Sequence, residues 1–76
     1  MNANICGEKV KQYRKKLGMA QIDLAEALNV DHGLAVAQSD ISEIERKVRG
    51  VKDFELKALA DALQTSANNL IGTDSV

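Results

Sequence analysis

The sequence predicts an all-α domain of five short helices. Apolar residues fall at helical spacings, and the alternation expected of strands is missing. Proline, low-complexity stretches and internal repeats are absent, so no linker divides the chain. With 76 residues there is room for one small domain spanning 1–76. A composition of 45% hydrophobic and 28% charged residues belongs to a globular chain rather than a disordered one.

A first helix is expected over about residues 4–17, with Cys6, Val10, Tyr13 and Leu17 as its inner stripe. Gly18 stops it, and Lys15 and Lys16 in the last turn favour the helix dipole. A second helix, about 21–28, turns Leu24, Ala25 and Leu28 inward and has Asp23 in its first turn. Asn29 follows, a residue that tolerates the left-handed conformation where helices end. A loop is expected over roughly 30–37, then a third helix over about 38–46 with Ile41 and Ile44 inward. A fourth begins near Asp53, read as its N-cap, and runs to Leu63 with Leu56, Leu59, Ala60 and Leu63 buried. Ser66 caps a short fifth helix through Ile71, which Gly72 stops.

Several function classes are excluded at this level. The single cysteine, Cys6, forbids an internal disulfide, and together with the lone His32 it is too little for a zinc site, so no metal is expected. No Ser/His/Asp or Cys/His arrangement and no glycine-rich phosphate loop is present. No catalytic residue, enzyme activity or cofactor is therefore assigned. No apolar run approaches a membrane span, and no N-terminal apolar stretch reads as a signal peptide. These features and the free thiol favour a cytoplasmic protein without membrane attachment.

The net charge of −1 hides a strong segregation. Residues 1–20 carry Lys9, Lys11, Arg14, Lys15 and Lys16 against Glu8. Residues 21–45 carry only acids: Asp23, Glu26, Asp31, Asp40, Glu43 and Glu45. Residues 46–52 return Arg46, Lys47, Arg49 and Lys52. Two basic clusters flanking an acidic stretch can meet on one face and address a polyanion, or they can be ordinary solvated helix surface.

The span of about 21–46 sharpens the reading. A short helix bearing Leu24, Ala25 and Leu28 is followed by one bearing Ile41 and Ile44, and a small residue such as Ala25 permits a close crossing. The second helix can then enter a DNA major groove about 12 Å wide, with Gln38 and Ser39 leading. Here the sequence resembles the phage-repressor/Cro-like (XRE) helix-turn-helix family. The resemblance rests on Gly18-Met19-Ala20-Gln21, Leu24-Ala25-Glu26-Ala27-Leu28-Asn29-Val30, Gln38 through Arg46, Leu59-Ala60-Asp61-Ala62-Leu63, and Ser66 with Leu70-Ile71-Gly72. It covers about residues 5–72 and implies a lambda-repressor-like fold. The order and spacing of these motifs, rather than any one of them, make the match.

Four departures from the family pattern stand out. Residues 31–36 form an insertion that lengthens the loop between the second and third helices. Ala20 and Ala37 replace the usual Ser or Thr N-caps, each loss costing about 1 kcal/mol. Lys47 replaces a frequent glycine, and the third helix is acidic.

The resemblance implies double-stranded DNA as the partner and a role in transcription regulation. Gln38, Ser39, Ser42 and Glu43 are the base-contact candidates; glutamine pairs with adenine N6 and N7. Glu43 has two readings, an acceptor for cytosine N4 or a solvated surface acid. Gln21, Arg14, Arg46, Arg49 and Lys52 are the phosphate-contact candidates. Arg14 and Glu45 resemble a structural pair tying the first helix to the third. Binding as a homodimer to a palindromic operator is expected, through the C-terminal region around Leu70 and Ile71. The rival reading is a protein-interaction module that keeps the fold without specific DNA binding. Cys6 reads as a small buried hydrophobe and His32 as a solvent-exposed loop residue. Leu34-Ala35-Val36 either packs on the core or meets a partner.

Overall fold

The computed structural model describes residues 6–71, and its chain order is α1 (Gly7–Lys16), α2 (Gln21–His32), α3 (Gln38–Glu45), α4 (Asp53–Ala62) and α5 (Ala67–Ile71). No strand occurs among the described residues, and no helix there is long and apolar enough to cross a membrane. The helices share one core, made by Cys6, Val10, Leu24, Ala25, Leu28, Val36, Ile41, Ile44, Ala58, Leu59, Ala60, Leu63 and Leu70. Their burial follows the three-and-four spacing, because side chains so spaced share one helix face. The packing places α3 against α2 and α1, and α4 against α2 and α5.

α1 begins at Gly7 rather than near Asn4, which lies outside the described residues. Leu17, expected on the inner stripe, is 39% exposed. The helix stops at Lys16, and the turn through Gly18, at φ +71°, carries Leu17 off the buried face. The Cys6 thiol is buried, and burial pushes its pKa up, which keeps it an inert apolar filler.

The largest correction concerns the insertion. α2 does not end at Asn29; it runs one further turn to His32 and stops at Gly33, which takes the left-handed conformation at φ +65°. Only residues 33–37 are non-helical here. Asn29 stays helical, and its side chain serves the loop instead. Its Nδ2 donates to the Ala25 carbonyl at 2.9 Å and the Val36 carbonyl at 2.7 Å, while its Oδ1 accepts from the Val36 N–H at 2.9 Å. Val36 is thereby held in the core and Leu34 packs partly against it, so the insertion closes on the domain itself. His32 is likewise no solvated loop residue. It is half-buried in the last turn of α2, with Nε2 3.1 Å from Asp61 Oδ2 on α4, an electrostatic contact outside hydrogen-bond geometry.

Helix starts use an alternative to Ser or Thr. Ala20, Ala37 and Lys52 occupy the N-cap positions without a side-chain cap. Each cap residue's own N–H is accepted by the carboxylate three residues on: Asp23 at 2.9 Å, Asp40 at 2.9 Å and Glu55 at 3.0 Å. This is the acidic half of a capping box, and the negative charge also suits the helix dipole. Asp53, expected as the N-cap of α4, is its first helical residue, because Glu55 stands at the correct spacing from Lys52. Ser66 does cap α5, its Oγ accepting from the Asn69 N–H at 3.2 Å.

Helices α1 to α4 each end with a left-handed residue: Gly18, Gly33, Lys47 at φ +64° and Gln64 at φ +59°. Following amides close the turns, Val48 onto the Glu43 carbonyl at 3.0 Å and Thr65 onto the Ala60 carbonyl at 2.9 Å. Leu70, expected near a subunit interface, is 0% exposed within the monomer because α5 folds onto α1 and α4.

The two kinds of helix stop give opposite mutational signs. Open space surrounds the position a Cβ would occupy on Gly33, so Gly33→Ala should be destabilised by backbone strain alone, about 1 kcal/mol. Lys47→Gly should relieve similar strain and gain about 0.5 kcal/mol after the greater freedom of the unfolded chain is counted. Urea melts of the two variants check both signs.

Candidate nucleic-acid interface

Ile41 and Ile44 fix the rotation of α3 by pointing into the core. That rotation leaves Gln38 and Ser39 exposed on the first turn and Ser42 and Glu43 half-buried one turn on. The first turn is therefore presented outward from a helix whose opposite face cannot rotate.

A chain of polar contacts holds this orientation. Arg14 on α1 and Glu45 on α3 are buried, at 8% exposure each. Arg14 Nε donates to Glu45 Oε2 at 2.6 Å and Nη2 to Oε1 at 3.0 Å, while Nη1 donates to the Met19 carbonyl at 2.7 Å. Gln21 Nε2 at the start of α2 donates to Glu45 Oε1 at 3.1 Å. Gln38 Nε2 then donates to Gln21 Oε1 at 3.3 Å. Burial pushes the Glu45 carboxyl up, but hydrogen bonds from Arg14 and Gln21 outweigh it and hold the group below the usual carboxylate range. Arg14 is shifted upward by the same hydrogen bonding. Its guanidinium is thus occupied inside the domain, tying α1 to α3.

Two of the three acids of α3 are turned to internal work. Asp40 accepts from the Ala37 N–H and Glu45 is paired with Arg14. Glu43 adds to the negative field at Arg49. Of the basic segment after α3, Arg46 is exposed, with Nε donating to Ser42 Oγ at 3.1 Å. Lys52 is exposed, its Nζ 5.8 Å from the Phe54 ring centroid, a cation–π distance. Arg49 is turned onto protein groups: Nη1 donates to Glu55 Oε1 at 3.1 Å and Nη2 to Oε2 at 2.7 Å. Those bonds hold the Glu55 carboxyl below its usual range and raise the Arg49 pKa.

The structure thus brings Gln21, Gln38, Arg14 and Glu45 into one chain, with Ser39, Ser42 and Arg46 beside it on or just after α3. Reading by residue type missed three groups. Asn29 reads only as a helix stop, and nothing in the sequence signals its side chain's role in pinning the loop. Asp23, Asp40 and Glu55 were findable as acids three residues after each helix start. The Arg49–Glu55 pair spans a non-helical turn and had no periodic signature.

A helix-turn-helix is the arrangement these helices define, α2 backing an α3 whose first turn is exposed. The family model described as Helix-turn-helix matches residues 10–70, and the chain belongs to that family. Among solved structures, the P22 c2 repressor protein in complex with synthetic operator 9T in the presence of Tl+ matches with a TM-score of 0.75 and 32% sequence identity. The match covers 87% of this chain and 91% of the repressor chain. No curated protein sequence matches.

Two outcomes follow for the buried pair and its charge. Glu45→Ala should cost about 3 kcal/mol, because it strands a buried guanidinium. Arg14→Ala should cost a comparable amount, and the double variant less than the two together, as a urea double-mutant cycle would show. Glu45 and Glu55 are both depressed on folding, whereas in the unfolded chain such groups titrate near about 4.3. Below that value the unfolded chain binds protons that the folded one refuses. Their stabilisation is complete above about pH 4.3 and falls away as pH drops through the folded values. Glu55→Gln should flatten this acid limb in melts recorded between pH 6 and 3.

Proposed function

We propose that the protein is a sequence-specific DNA-binding transcriptional regulator, with α3 as the reading helix and a homodimer on a palindromic operator as the active form. The observation that carries the reading is the exposed first turn of α3, held in place by the Gln38–Gln21–Glu45–Arg14 chain. Preorganisation of this kind lowers the ordering cost of binding. The similarity to a repressor bound to its operator supports the same conclusion.

The hydrogen bonds already made within the domain support a division of roles. Gln38 spends one Nε2 hydrogen on Gln21 and keeps its Oε1 and second hydrogen, the pair that matches adenine N6 and N7. Gln21 spends one Nε2 hydrogen on Glu45 and keeps one for a phosphate oxygen. Ser39, Ser42 and Glu43 line the same face as further base-edge candidates. Arg46 and Lys52 are the exposed cations for backbone contacts. The acids of α3 do little to oppose this, since Asp40 and Glu45 are engaged within the domain. One domain makes few phosphate contacts, and a two-fold dimer doubles them. With Leu70 in the core, a C-terminal dimer surface uses Ile71 and the more exposed face of α5.

Selection from random duplexes tests the reading directly. The wild type should enrich one palindromic sequence, and Gln38→Ala should relax it at one base pair per half-site at a cost of roughly 1–3 kcal/mol. Arg46→Ala should weaken selected and random duplexes alike and flatten the salt slope by about one unit. A wild type that enriches no sequence would leave the protein-interaction reading in its place.

A further inference from the structure

Arg49 stands among three carboxylates contributed by two helices. Its guanidinium forks onto both oxygens of Glu55 at 2.7 and 3.1 Å, and its Nε lies 3.8 Å from Asp40 Oδ1. Nη1 also donates to the Gly50 carbonyl at 2.9 Å, and Glu43 adds to the surrounding negative field. Asp40 and Glu55 are no ordinary surface acids. Each is the residue that accepts its own helix's N-cap N–H, Ala37 for α3 and Lys52 for α4. One guanidinium therefore bridges the start of the reading helix and the start of α4. The segment it spans, 46–52, carries Arg46 and Lys52.

We propose that Arg49 is a positioning residue for DNA recognition rather than a phosphate contact: it fixes the first turn of α3 relative to the start of α4. The inference rests on the DNA-binding reading above and deepens it. A phosphate approaching Arg49 competes with a bidentate carboxylate for the guanidinium. A lysine, being a point charge, preserves attraction to a phosphate but cannot reproduce the fork onto Glu55.

The test uses the full chain, a duplex selected by the wild type and a random duplex of equal length. Arg49→Lys, Arg49→Met and Glu55→Gln are compared at two salt concentrations, below the melting temperature of the weakest variant. The positioning role predicts that all three weaken the selected duplex by about tenfold, equivalent to ~1.4 kcal/mol. Random-duplex affinity and salt slope should stay at wild-type values. In the free protein, the amide signals of Ala37 and Asp40 should move in all three variants. A phosphate role predicts the reverse pattern: Arg49→Met flattens the slope and weakens both duplexes, Arg49→Lys is silent, and Glu55→Gln tightens binding by freeing the cation. That pattern, or unmoved Ala37 and Asp40 amides, overturns the inference. A wild type that selects no sequence overturns the DNA reading itself, while the amide signals still decide whether Arg49 reaches the start of α3.

Discussion

The Arg14–Glu45 ion pair is the constraint on which the orientation of the exposed face of α3 depends. Removing two charges from water is costly, and Coulomb attraction alone does not reliably repay it. Here the cost is offset by a fork of two hydrogen bonds, a third to the Met19 carbonyl and a fourth from Gln21. An apolar pair of similar volume could stabilise the fold as well, but it would give Gln21 nothing to bond. The pair thus links a stability element in α1 to the side chain of Gln38, through one carboxylate with two acceptor oxygens.

An acidic helix is an unexpected choice for the reading role proposed for α3. The structure resolves this by direction rather than by charge. Asp40 is turned back onto the helix start, where it replaces the capping hydroxyl that Ala37 lacks. Glu45 is turned into the core. The departure at Ala37 and the acidity at Asp40 are therefore one feature, since the carboxylate does the capping. Ala20 with Asp23 and Lys52 with Glu55 repeat the solution at two further helices.

The lengthened segment between α2 and α3 is absorbed by the same economy. One added turn takes α2 to Gly33, and the remaining residues return along a path pinned by the Asn29 side chain. Val36 in the core then anchors the residue just before the Ala37 cap. The insertion consequently reaches α3 under control, and the first turn of α3 stays where the polar chain needs it.

The sequence by itself determined the all-α class, the five helices, most inward faces and the stop at Gly18, because helical periodicity and capping chemistry are local. The family resemblance supplied the pairing of Arg14 with Glu45, which no local pattern encodes. Tertiary structure decided the rest. Asn29 and Gly33 both carry a helix-stop signal, and the choice fell to Gly33 because Leu34 and Val36 had core space to fill. Leu17 and Leu70 are both leucines at helix ends, yet one is exposed and the other buried. Arg49 and Arg46 are both cations on the same segment, and only packing turned Arg49 onto Glu55 and left Arg46 outward. Composition fixes how many charges a chain carries; which of them remain available to a partner is set by the neighbours that folding brings within about 3 Å.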